Sequence, residues 1–271
     1  ADGVMCPSFQ ATGDEAFLTR GRANLLRAWL AGEDVAADLD RTLKRCLACK
    51  ACAAECPSGV DMSAFKADYL DHRPPGVADL FFARFAFLSA LGRVFGVPFQ
   101  GIVKKLIGIH PRCVLPAAVC AGFAARYSNR VAIEEADVIL FVDTHVEYYE
   151  PEIGLAFMKL CETLGIRAHA GRFGCCSRPA YSRGQLKKVR ADLRRICIPG
   201  SCPVVVIEPS CCSMLKEDAP RLLPEMRPLA DRITAPERFL LRYEEQLARL
   251  AEGRPRPRVF YHGHCHEKAA E

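Results

Sequence analysis

The sequence predicts an α+β protein, in which a small α-helical region that carries cysteines is followed by an α/β region built on a parallel sheet. Residues 1–72 have apolar residues at helical spacing and hold five of the 15 cysteines. Over residues 131–271, short apolar runs bounded by charge alternate with helical stretches, which is typical of a parallel sheet with covered faces. Residues 73–130 are predicted to be an apolar helical linker between these two domains.

Two helices are expected ahead of the main group of cysteines. The stretch DEAFLTRGRANLLRAWLAG, residues 14–32, has apolar residues at helical spacing and ends on Gly32. The stretch DVAADLDRTLKRC is predicted to be a second helix, which leads to Cys46. The segment HRPPG, residues 72–76, is interpreted as the linker that closes this region.

The longest apolar stretch, residues 79–109, is too interrupted to cross a membrane. It contains no run of about 18 apolar residues, because it is broken by Arg84, Arg93, Pro98, Lys104 and Lys105. A pair of amphipathic helices packed against the rest of the protein explains the pattern. An interfacial helix that lies on a membrane is the alternative, and the sequence leaves it open.

Four strands are predicted in the α/β region, and the first and third of them are buried apolar runs. They are ADVILFVD, IRAHA, CPVVVIEPS and RVFYHG, which begin at residues 136, 166, 202 and 258. Helices are predicted over PEIGLAFMKLCETLG, SRGQLKKVRADLRRIC, SMLKEDAPRLL and APERFLLRYEEQLARL. In an open parallel sheet, the carboxyl ends of the strands line the ligand crevice. The side chains expected there are Asp143, His145, Cys175, Cys176, Cys211, Cys212, His264, Cys265 and His266.

Composition indicates which cofactors and partners the protein is expected to have. Fifteen cysteines are many for 271 residues, and no signal peptide precedes them, so metal or cluster ligation in a reducing, cytoplasmic compartment is favoured over disulfides. The net charge of +5 is spread along the chain, and nucleic acid is therefore not a predicted partner. No glycine-rich phosphate loop occurs, so these residues are not predicted to bind flavin or nicotinamide themselves.

The stretch RCLACKACAAECPSGVDM, residues 45–62, carries the most specific signal. Its cysteines, Cys46, Cys49, Cys52 and Cys56, have the spacing C-x2-C-x2-C-x3-C-P, which is the bacterial ferredoxin pattern for a [4Fe–4S] cluster. A zinc ribbon needs two CxxC knuckles that are set well apart, and the stretch lacks them.

A lone Cys6-Pro7 pair near the start of the chain suggests crossed ligation. In two-cluster ferredoxins the fourth cysteine of such a run binds the other cluster. By this rule Cys46, Cys49 and Cys52 take Cys6 as their fourth ligand, and Cys56 completes a second cluster whose own triplet lies before residue 1. The alternative is one local cluster held by the four cysteines of the run, with Cys6 uninvolved.

Adjacent cysteines in the α/β region indicate a second redox or metal site. They lie in GRFGCCSRPAYSRG and EPSCC, and the stretch HGHCH adds a further cysteine between histidines. The candidate ligands are Cys175, Cys176, Cys211, Cys212, Cys265, His145 and His264. Buried, inert thiols and hydrogen-bonded imidazoles are an equally good interpretation. Arg178 and Arg183 are candidates for holding a carboxylate or quinone oxygen, or are structural arginines.

Five blocks of this chain together resemble one family. DGVMCPSFQATGDEAFLTRGRANLLRAWL, CLACKACAAECPSGVDMSAFKADYL, GCCSRPAYSRG, VVVIEPSCC and YHGHCHEKA look like successive parts of the iron–sulfur half of FAD-linked D-2-hydroxyacid dehydrogenases. These are the D-lactate, glycolate and D-2-hydroxyglutarate oxidases that join a ferredoxin-like module to a cysteine-rich CCG domain. The CCG region is also shared with the iron–sulfur subunit of anaerobic glycerol-3-phosphate dehydrogenase and with heterodisulfide reductase.

The resemblance implies an electron-transfer function. An FAD domain or subunit upstream would oxidise the hydroxyacid, and electrons would pass through two [4Fe–4S] clusters to a quinone or another acceptor. The family pattern has the missing cysteine triplet just before this sequence and a further CCG block after it, so a chain truncated at both ends is expected. Peripheral contact with the cytoplasmic face of the inner membrane is part of the same expectation.

The chain departs from the family pattern in the CCG region. Ser177 stands where a glycine usually follows the adjacent cysteines, and residues 143–145 replace a cysteine of heterodisulfide reductase after the first strand. Cys211 and Cys212 are adjacent rather than spaced CxxC. These departures favour a cluster-free remnant, or a site completed by His145 and the missing block.

Two other functions stay open from the sequence. One is a thiol/disulfide redox subunit like heterodisulfide reductase, in which the adjacent cysteines and a cluster reduce a disulfide. The other is a membrane-associated iron–sulfur subunit like that of glycerol-3-phosphate dehydrogenase, with residues 79–109 on the bilayer.

Overall fold

Two compact units make up the computed structural model, which describes residues 6–95, 100–255 and 257–270. The first, here called the N-terminal unit, comprises residues up to 74 together with residues 182–184 and 262–271. The second, here called the sheet unit, comprises residues 75–181 and 185–261. The residues predicted as a linker, 73–130, thus fall mostly within the sheet unit. The sequence-based domain boundaries stay a prediction.

The N-terminal unit is built from short helices. Their bounds are α1 Pro7–Thr12, α2 Thr19–Leu30, α3 Ala36–Lys44, α4 Ala51–Glu55 and α5 Met62–Asp71. Helix α2 lies within the first predicted helix, and α3 lies within the second. A 3-10 turn over Glu15–Phe17 connects α1 to α2, and Gly21 of α2 packs so closely on it that a Cβ there would lie 2.4 Å from the Glu15 carbonyl oxygen. Only glycine allows this approach.

A small core holds these helices together. Leu39 and Leu43 of α3 pack with Met62 and Tyr69 of α5, and all four are almost fully buried. The ring of Trp29 meets that of Tyr69 edge to face, with centroids 5.0 Å apart. Because this core lies between α2, α3 and α5, it fixes the loop that joins α3 to α4, which carries the cysteines.

The sheet unit contains four parallel strands. They are β1 Val138–Phe141, β2 Ala168–Gly171, β3 Val204–Val206 and β4 Ile233–Thr234. The strand order is β2-β1-β3-β4, with Ile139 beside both His169 and Val204. The first three strands lie where the sequence predicted them, and the α+β fold class is confirmed.

The predicted fourth strand, RVFYHG at residues 258–263, is wrong. These residues form no strand, and Val259, Phe260 and Tyr261 are 75%, 87% and 75% exposed. The fourth strand is Ile233–Thr234. It lies between two predicted helices, in a segment for which the sequence predicted no strand. Arg232 supports this pairing, because its guanidinium donates to the carbonyl oxygens of Ile198, Pro199 and Cys202 in the segment that leads into β3.

Helices surround the sheet. Those that precede β2 are α6 Val77–Ala83, α7 Phe85–Phe95, α8 Gln100–Ile107, α9 Phe123–Arg126, α10 Thr144–Tyr148 and α11 Pro151–Thr163. Those that follow it are α12 Arg178–Tyr181, α13 Leu186–Leu193, α14 Pro209–Ser213, α15 Ala219–Leu222, α16 Arg227–Ala230, α17 Pro236–Leu240 and α18 Glu244–Ala251. The last helix of the chain, α19 Cys265–Ala270, belongs to the N-terminal unit. Helices on the sheet explain why β1 and β3 are continuous apolar runs.

The apolar stretch at residues 79–109 forms α6, α7 and α8, although residues 96–99, which include the predicted break at Pro98, lie outside the described residues. Within the described part of the chain, no helix has the length and apolar character needed to cross a membrane. Phe87 and Leu106 on these helices are 64% and 62% exposed.

The sheet supplies the main core, and the contribution of this core to the free energy of unfolding can be tested at Leu140. This side chain is fully buried in β1, so Leu140→Ala is expected to lower the free energy of unfolding by about 2–5 kcal/mol, through lost burial and the cavity left behind. Urea unfolding followed by circular dichroism measures this. Leu241, 65% exposed, is the matched control, and its replacement by alanine is expected to change stability by less than about 0.5 kcal/mol. Equal losses in both variants would contradict the burial argument.

Candidate iron–sulfur site

The loop between α3 and α4 coils tightly around its cysteines. Ala48 and Lys50 adopt left-handed backbone conformations, with φ of 52° and 64°. Such conformations cost non-glycine residues about 1–3 kcal/mol each and persist only where the surroundings impose them, often at functional sites. The coil brings Cys46, Cys49 and Cys52 to the same side of the loop.

Four cysteines line one cavity in the N-terminal unit. They are Cys6, Cys46, Cys49 and Cys52. Cys6 reaches the cavity because it directly precedes α1, whose Ser8 hydroxyl donates to the Arg45 carbonyl at the start of the cysteine run. Cys56 is not among the residues that line this cavity.

The donor set of this cavity fits a [4Fe–4S] cluster. Such a cluster is held by four cysteine thiolates, and four cysteines face the cavity. Among the described residues, no group of three or more His, Cys, Asp or Glu side chains is arranged to hold a single metal ion. The ligands of a cubane bind four different irons and therefore lie farther apart than the ligands of one ion.

Cys6 has a cationic partner. The Nη1 atom of Arg22 lies 3.0 Å from the Cys6 sulfur. Burial raises the pKa of the Cys6 thiol, but hydrogen bonds from Arg22 and Ser8 outweigh burial and bring the pKa below its usual value. A thiolate is the form that binds iron, so this environment favours ligation.

Cys49 and Cys52 lie deeper. Burial raises the pKa of both thiols, although the backbone N–H groups of Ala51 and Met62 donate to Cys49 and Cys52 respectively and partly offset it. Without iron these two side chains are therefore thiols at neutral pH. Iron binding at the cavity is expected to release protons, because the ligands must be deprotonated.

Cys56 directly follows α4, and like the other four cysteines it is partly buried. Backbone N–H groups of Val60, Ser58 and Gly59 donate to its sulfur and lower the pKa of the thiol. Hydrogen bonds of this kind stabilise a thiolate. This setting suits a ligand that projects away from the cavity, as the crossed arrangement requires.

The HGHCH stretch does not lie where the sequence predicted. Residues 262–270 belong to the N-terminal unit, and α19 packs on α4 beside the cysteine loop. The Nε2 atom of His266 lies 2.9 Å from the Ala48 carbonyl oxygen, and the ring of His264 lies 5.2 Å from that of His266. The prediction that His264, Cys265 and His266 follow a strand of the sheet is therefore wrong. No local pattern in the sequence could have shown this long-range contact.

Thiols from two other segments do meet at the carboxyl edge of the sheet. The sulfur atoms of Cys176 and Cys211 are 2.8 Å apart, and the Thr144 hydroxyl lies 3.8 Å from the Cys175 sulfur. Cys175 and Asp143 also line a cavity of about 530 Å³ in the sheet unit. The sequence predicted this convergence from strand ends alone.

Two other predicted ligands at this edge, Cys212 and His145, have neighbours other than these thiols. Cys212 is buried on α14, where Lys216 and Glu237 are its charged neighbours. His145 has its Nε2 atom 4.0 Å from the Glu150 carboxylate and its ring beside Tyr149. Neither side chain contacts the Cys175, Cys176 and Cys211 thiols in the described structure.

Comparisons with known proteins agree with the cysteine cavity. Residues 4–60 match the family model described as a 4Fe-4S dicluster domain. The chain is 22% identical over 292 residues to the D-2-hydroxyglutarate dehydrogenase of Haemophilus influenzae, an alignment that covers 83% of this chain and 28% of that protein. It is 44% identical over 55 residues to the glycolate oxidase iron-sulfur subunit of Escherichia coli, covering 20% of this chain and 14% of that subunit.

This chain resembles the iron–sulfur portion of D-2-hydroxyacid dehydrogenases. A third relative is Lactate utilization protein A of Bacillus licheniformis, 29% identical over 142 residues, with 48% of this chain and 57% of that protein covered. No solved structure gives a significant match. The predicted resemblance to the iron–sulfur part of these dehydrogenases is confirmed. The prediction that the cofactor is of the [4Fe–4S] class is confirmed as well. The chain spans about a third or less of the length of the dehydrogenases that it matches.

Arg178, a candidate for holding an acceptor, is engaged within the protein. Its Nη1 atom lies 3.0 Å from the Asp218 carboxylate, and its other nitrogens donate to the Ser210 carbonyl and the Ser213 hydroxyl. Both members of the ion pair are buried. The structural interpretation of Arg178 is therefore favoured. Asp218, the partner that holds it, was not singled out from the sequence because a lone acidic residue in a helical stretch usually faces solvent.

The thiols at the sheet edge are expected to react slowly. The hydrogen bond with Cys176 and burial both raise the pKa of Cys175. The hydrogen bond from Cys176 lowers the pKa of Cys211, but burial and the nearby Asp143 carboxylate outweigh it and bring this pKa to about 11. Since the thiolate is the nucleophile, alkylation by iodoacetamide at pH 8 is expected to be at least about tenfold slower there than at Cys113 and Cys197, which are exposed. Peptide mass spectrometry measures this.

The same experiment run across pH supplies the control. The rate at Cys211 should rise as pH increases toward the raised pKa of about 11, because the thiolate forms only there. Labelling of Cys211 at pH 8 as fast as that of Cys113 would contradict a protonated Cys211 thiol with a raised pKa.

Proposed function

We propose that this chain is the iron–sulfur electron-transfer module of a flavin-dependent D-2-hydroxyacid dehydrogenase. Another domain or subunit, which holds FAD, would oxidise the hydroxyacid. This chain would carry the electrons onward to a quinone or another acceptor. The relatives named D-2-hydroxyglutarate dehydrogenase and glycolate oxidase iron-sulfur subunit support this assignment.

The cavity lined by Cys6, Cys46, Cys49 and Cys52 is the observation that carries the proposal. These four residues would hold a [4Fe–4S] cluster, which supplies one-electron transfer when bound. The chain's own contribution is to fix the ligands before iron arrives. It does so through the left-handed residues of the loop, the core beneath it and the contact of Arg22 with Cys6.

The proposal extends to a second cluster capped by Cys56. The separation of Cys56 from the cavity and the hydrogen bonds from residues 58–60 support this role. The remaining ligands of that cluster, the FAD and the acceptor would be supplied outside residues 1–271. A cytoplasmic location is part of the proposal.

Anaerobic reconstitution with ferrous iron and sulfide tests this function. We expect about four iron and four sulfide per chain, and an electron paramagnetic resonance signal of a reduced [4Fe–4S] cluster after dithionite treatment. Reduced FAD in solution should bleach the visible absorption of the protein. Cys49→Ser should abolish all three results, while Cys113→Ser, at an exposed cysteine, should leave them unchanged. A wild-type chain that binds no iron would refute the proposal.

A second candidate function rests on the 2.8 Å contact between the Cys176 and Cys211 sulfurs. This pair would reduce a small-molecule disulfide: an S–S bond forms between the two cysteines, and the substrate disulfide leaves as two thiols that carry the two protons. Oxidised glutathione is the probe, and mass spectrometry should find the new bond in the wild type and in Cys212→Ser but not in Cys211→Ser. The raised pKa of Cys211, to about 11, makes slow exchange expected and places this function second.

Peripheral membrane contact is the last element of the proposal. Phe87 and Leu106 are exposed apolar side chains on α7 and α8, and Lys104 and Lys105 would meet anionic headgroups. Sedimentation with vesicles of phosphatidylglycerol measures the contact. Phe87→Ser combined with Leu106→Ser should weaken it, and equal sedimentation of the variant and the wild type would exclude this surface.

A further inference from the structure

A buried arginine faces the cysteine cavity. Arg22 on α2 is only 1% exposed, and it lines the cavity together with Cys6. Its Nε atom donates to the Thr42 carbonyl oxygen at 3.1 Å, and its Nη1 atom donates to the Cys6 sulfur at 3.0 Å. These two contacts hold the guanidinium plane in one orientation, and Gly21, next to it, lets α2 approach closely enough to place it there.

The third nitrogen of this guanidinium is unaccounted for. Arg22 Nη2 is buried and has no hydrogen-bond partner among the described residues. Leaving a donor of a charged group buried without an acceptor destabilises the folded protein. An acceptor is therefore expected in the space that Arg22 faces, and the cavity with its four sulfur ligands is that space.

Further positive charge surrounds the cavity. Lys50, 4% exposed, lines it, and Lys66 donates from Nζ to the Cys46 carbonyl oxygen at 2.8 Å. Asp61 is the nearby acidic group, with its Oδ2 atom 4.0 Å from Lys50 Nζ. Arg22, Lys50 and Lys66 thus place three cationic side chains at or beside the cavity, two of them almost fully buried.

Positive charge and hydrogen bonds to sulfur both affect the reduction potential of a cluster, and both favour its reduced state. The reduction potential of an iron–sulfur cluster depends on its net charge and on hydrogen bonds to its sulfur atoms. Reduction adds one negative charge, and a cation in a poorly solvated site stabilises the added charge more strongly than one in water. A buried guanidinium therefore favours the reduced state.

We propose that Arg22 donates a hydrogen bond from Nη2 to a sulfur of the cluster bound by Cys6, Cys46, Cys49 and Cys52, and thereby raises its reduction potential. This inference rests on the proposed function, because it needs the cluster. It makes Arg22 a residue that tunes the potential. A raised potential suits a module that accepts electrons from a flavin.

Redox titration of the reconstituted full chain, followed by electron paramagnetic resonance, tests the inference. Arg22→Met should shift the midpoint to a lower potential by about a tenfold change in the reduction equilibrium, about 59 mV for a one-electron couple. Arg22→Lys keeps the charge and loses the planar donor group, so a smaller shift in the same direction is expected. Arg20→Met on the same helix is the matched control, because Arg20 is exposed and pairs with Glu15. It should not shift the midpoint.

A measurement on the wild-type chain keeps the test decisive if the variants lose the cluster. With 15N-labelled arginine, pulsed electron paramagnetic resonance of the reduced protein should detect a nitrogen coupled to the cluster. The absence of that coupling, or an unchanged midpoint in Arg22→Met, would overturn the inference while the cluster itself remained. A wild-type chain without a cluster would instead refute the proposed function.

Discussion

Cys6→Ser is expected to remove most of the iron from the reconstituted chain, whereas Cys56→Ser is expected to leave it in place. Cys6 lines the cavity with the three cysteines of the loop, and Cys56 does not. Iron content should fall from about four per chain to below about one in Cys6→Ser, because a serine hydroxyl replaces a thiolate ligand that the cluster requires. Iron and sulfide analysis after anaerobic gel filtration measures the change.

The two variants distinguish crossed from local ligation. If all four cysteines of the run held one cluster, Cys56→Ser would lose the iron and Cys6→Ser would keep it. The structure favours the crossed result, since Arg22 holds the Cys6 sulfur at the cavity while Cys56 receives hydrogen bonds from residues 58–60. Melting curves of both variants without iron control for misfolding, and similar midpoints are expected.

Much of the site could be predicted because its geometry is local. Cys46, Cys49 and Cys52 lie within seven residues, so the spacing alone brings three thiolates to one side of a coiled loop. Cys6 was predicted from the crossing rule, and the contact of α1 with the loop brings it to the same cavity. Arg22 was missed, because an arginine in an amphipathic helix usually faces solvent and nothing in the sequence marks it as buried.

Three of the four strands could also be predicted from the sequence. The runs that contain β1 and β3 are apolar and buried at every position, as in a sheet that is covered on both faces, whereas β2 is buried at alternate residues. Ile233–Thr234 is too short for any periodicity to show, and hydrogen bonds of the Arg232 side chain support its pairing with β3. The stretch RVFYHG looks like a strand, yet its apolar side chains are exposed. Strand propensity there is overridden by contacts distant in sequence, which bring the following residues to the cysteine loop.

Asp218→Ala is expected to destabilise the sheet unit strongly. The carboxylate is 1% exposed and lies 3.0 Å from Arg178, which is itself buried. Removing one partner of a buried ion pair leaves the other charge unpaired in a poorly solvated site, which costs about 3–5 kcal/mol. Hydrogen exchange of the backbone N–H groups of β1 and β3 measures the loss within this unit. The matched control is Asp137→Ala, because Asp137 pairs with Arg167 at the surface and its removal should cost less than about 1 kcal/mol.

A double variant separates the charge of this pair from its packing. Arg178→Met with Asp218→Leu fills the site with apolar groups and removes both charges, so most of the stability lost in Asp218→Ala should return. Ser210 and Ser213 then lose a donor each, and the recovery is expected to be incomplete for that reason. If the double variant were as unstable as Asp218→Ala, the cost would lie in packing around Arg178, and the unpaired charge would not be its cause.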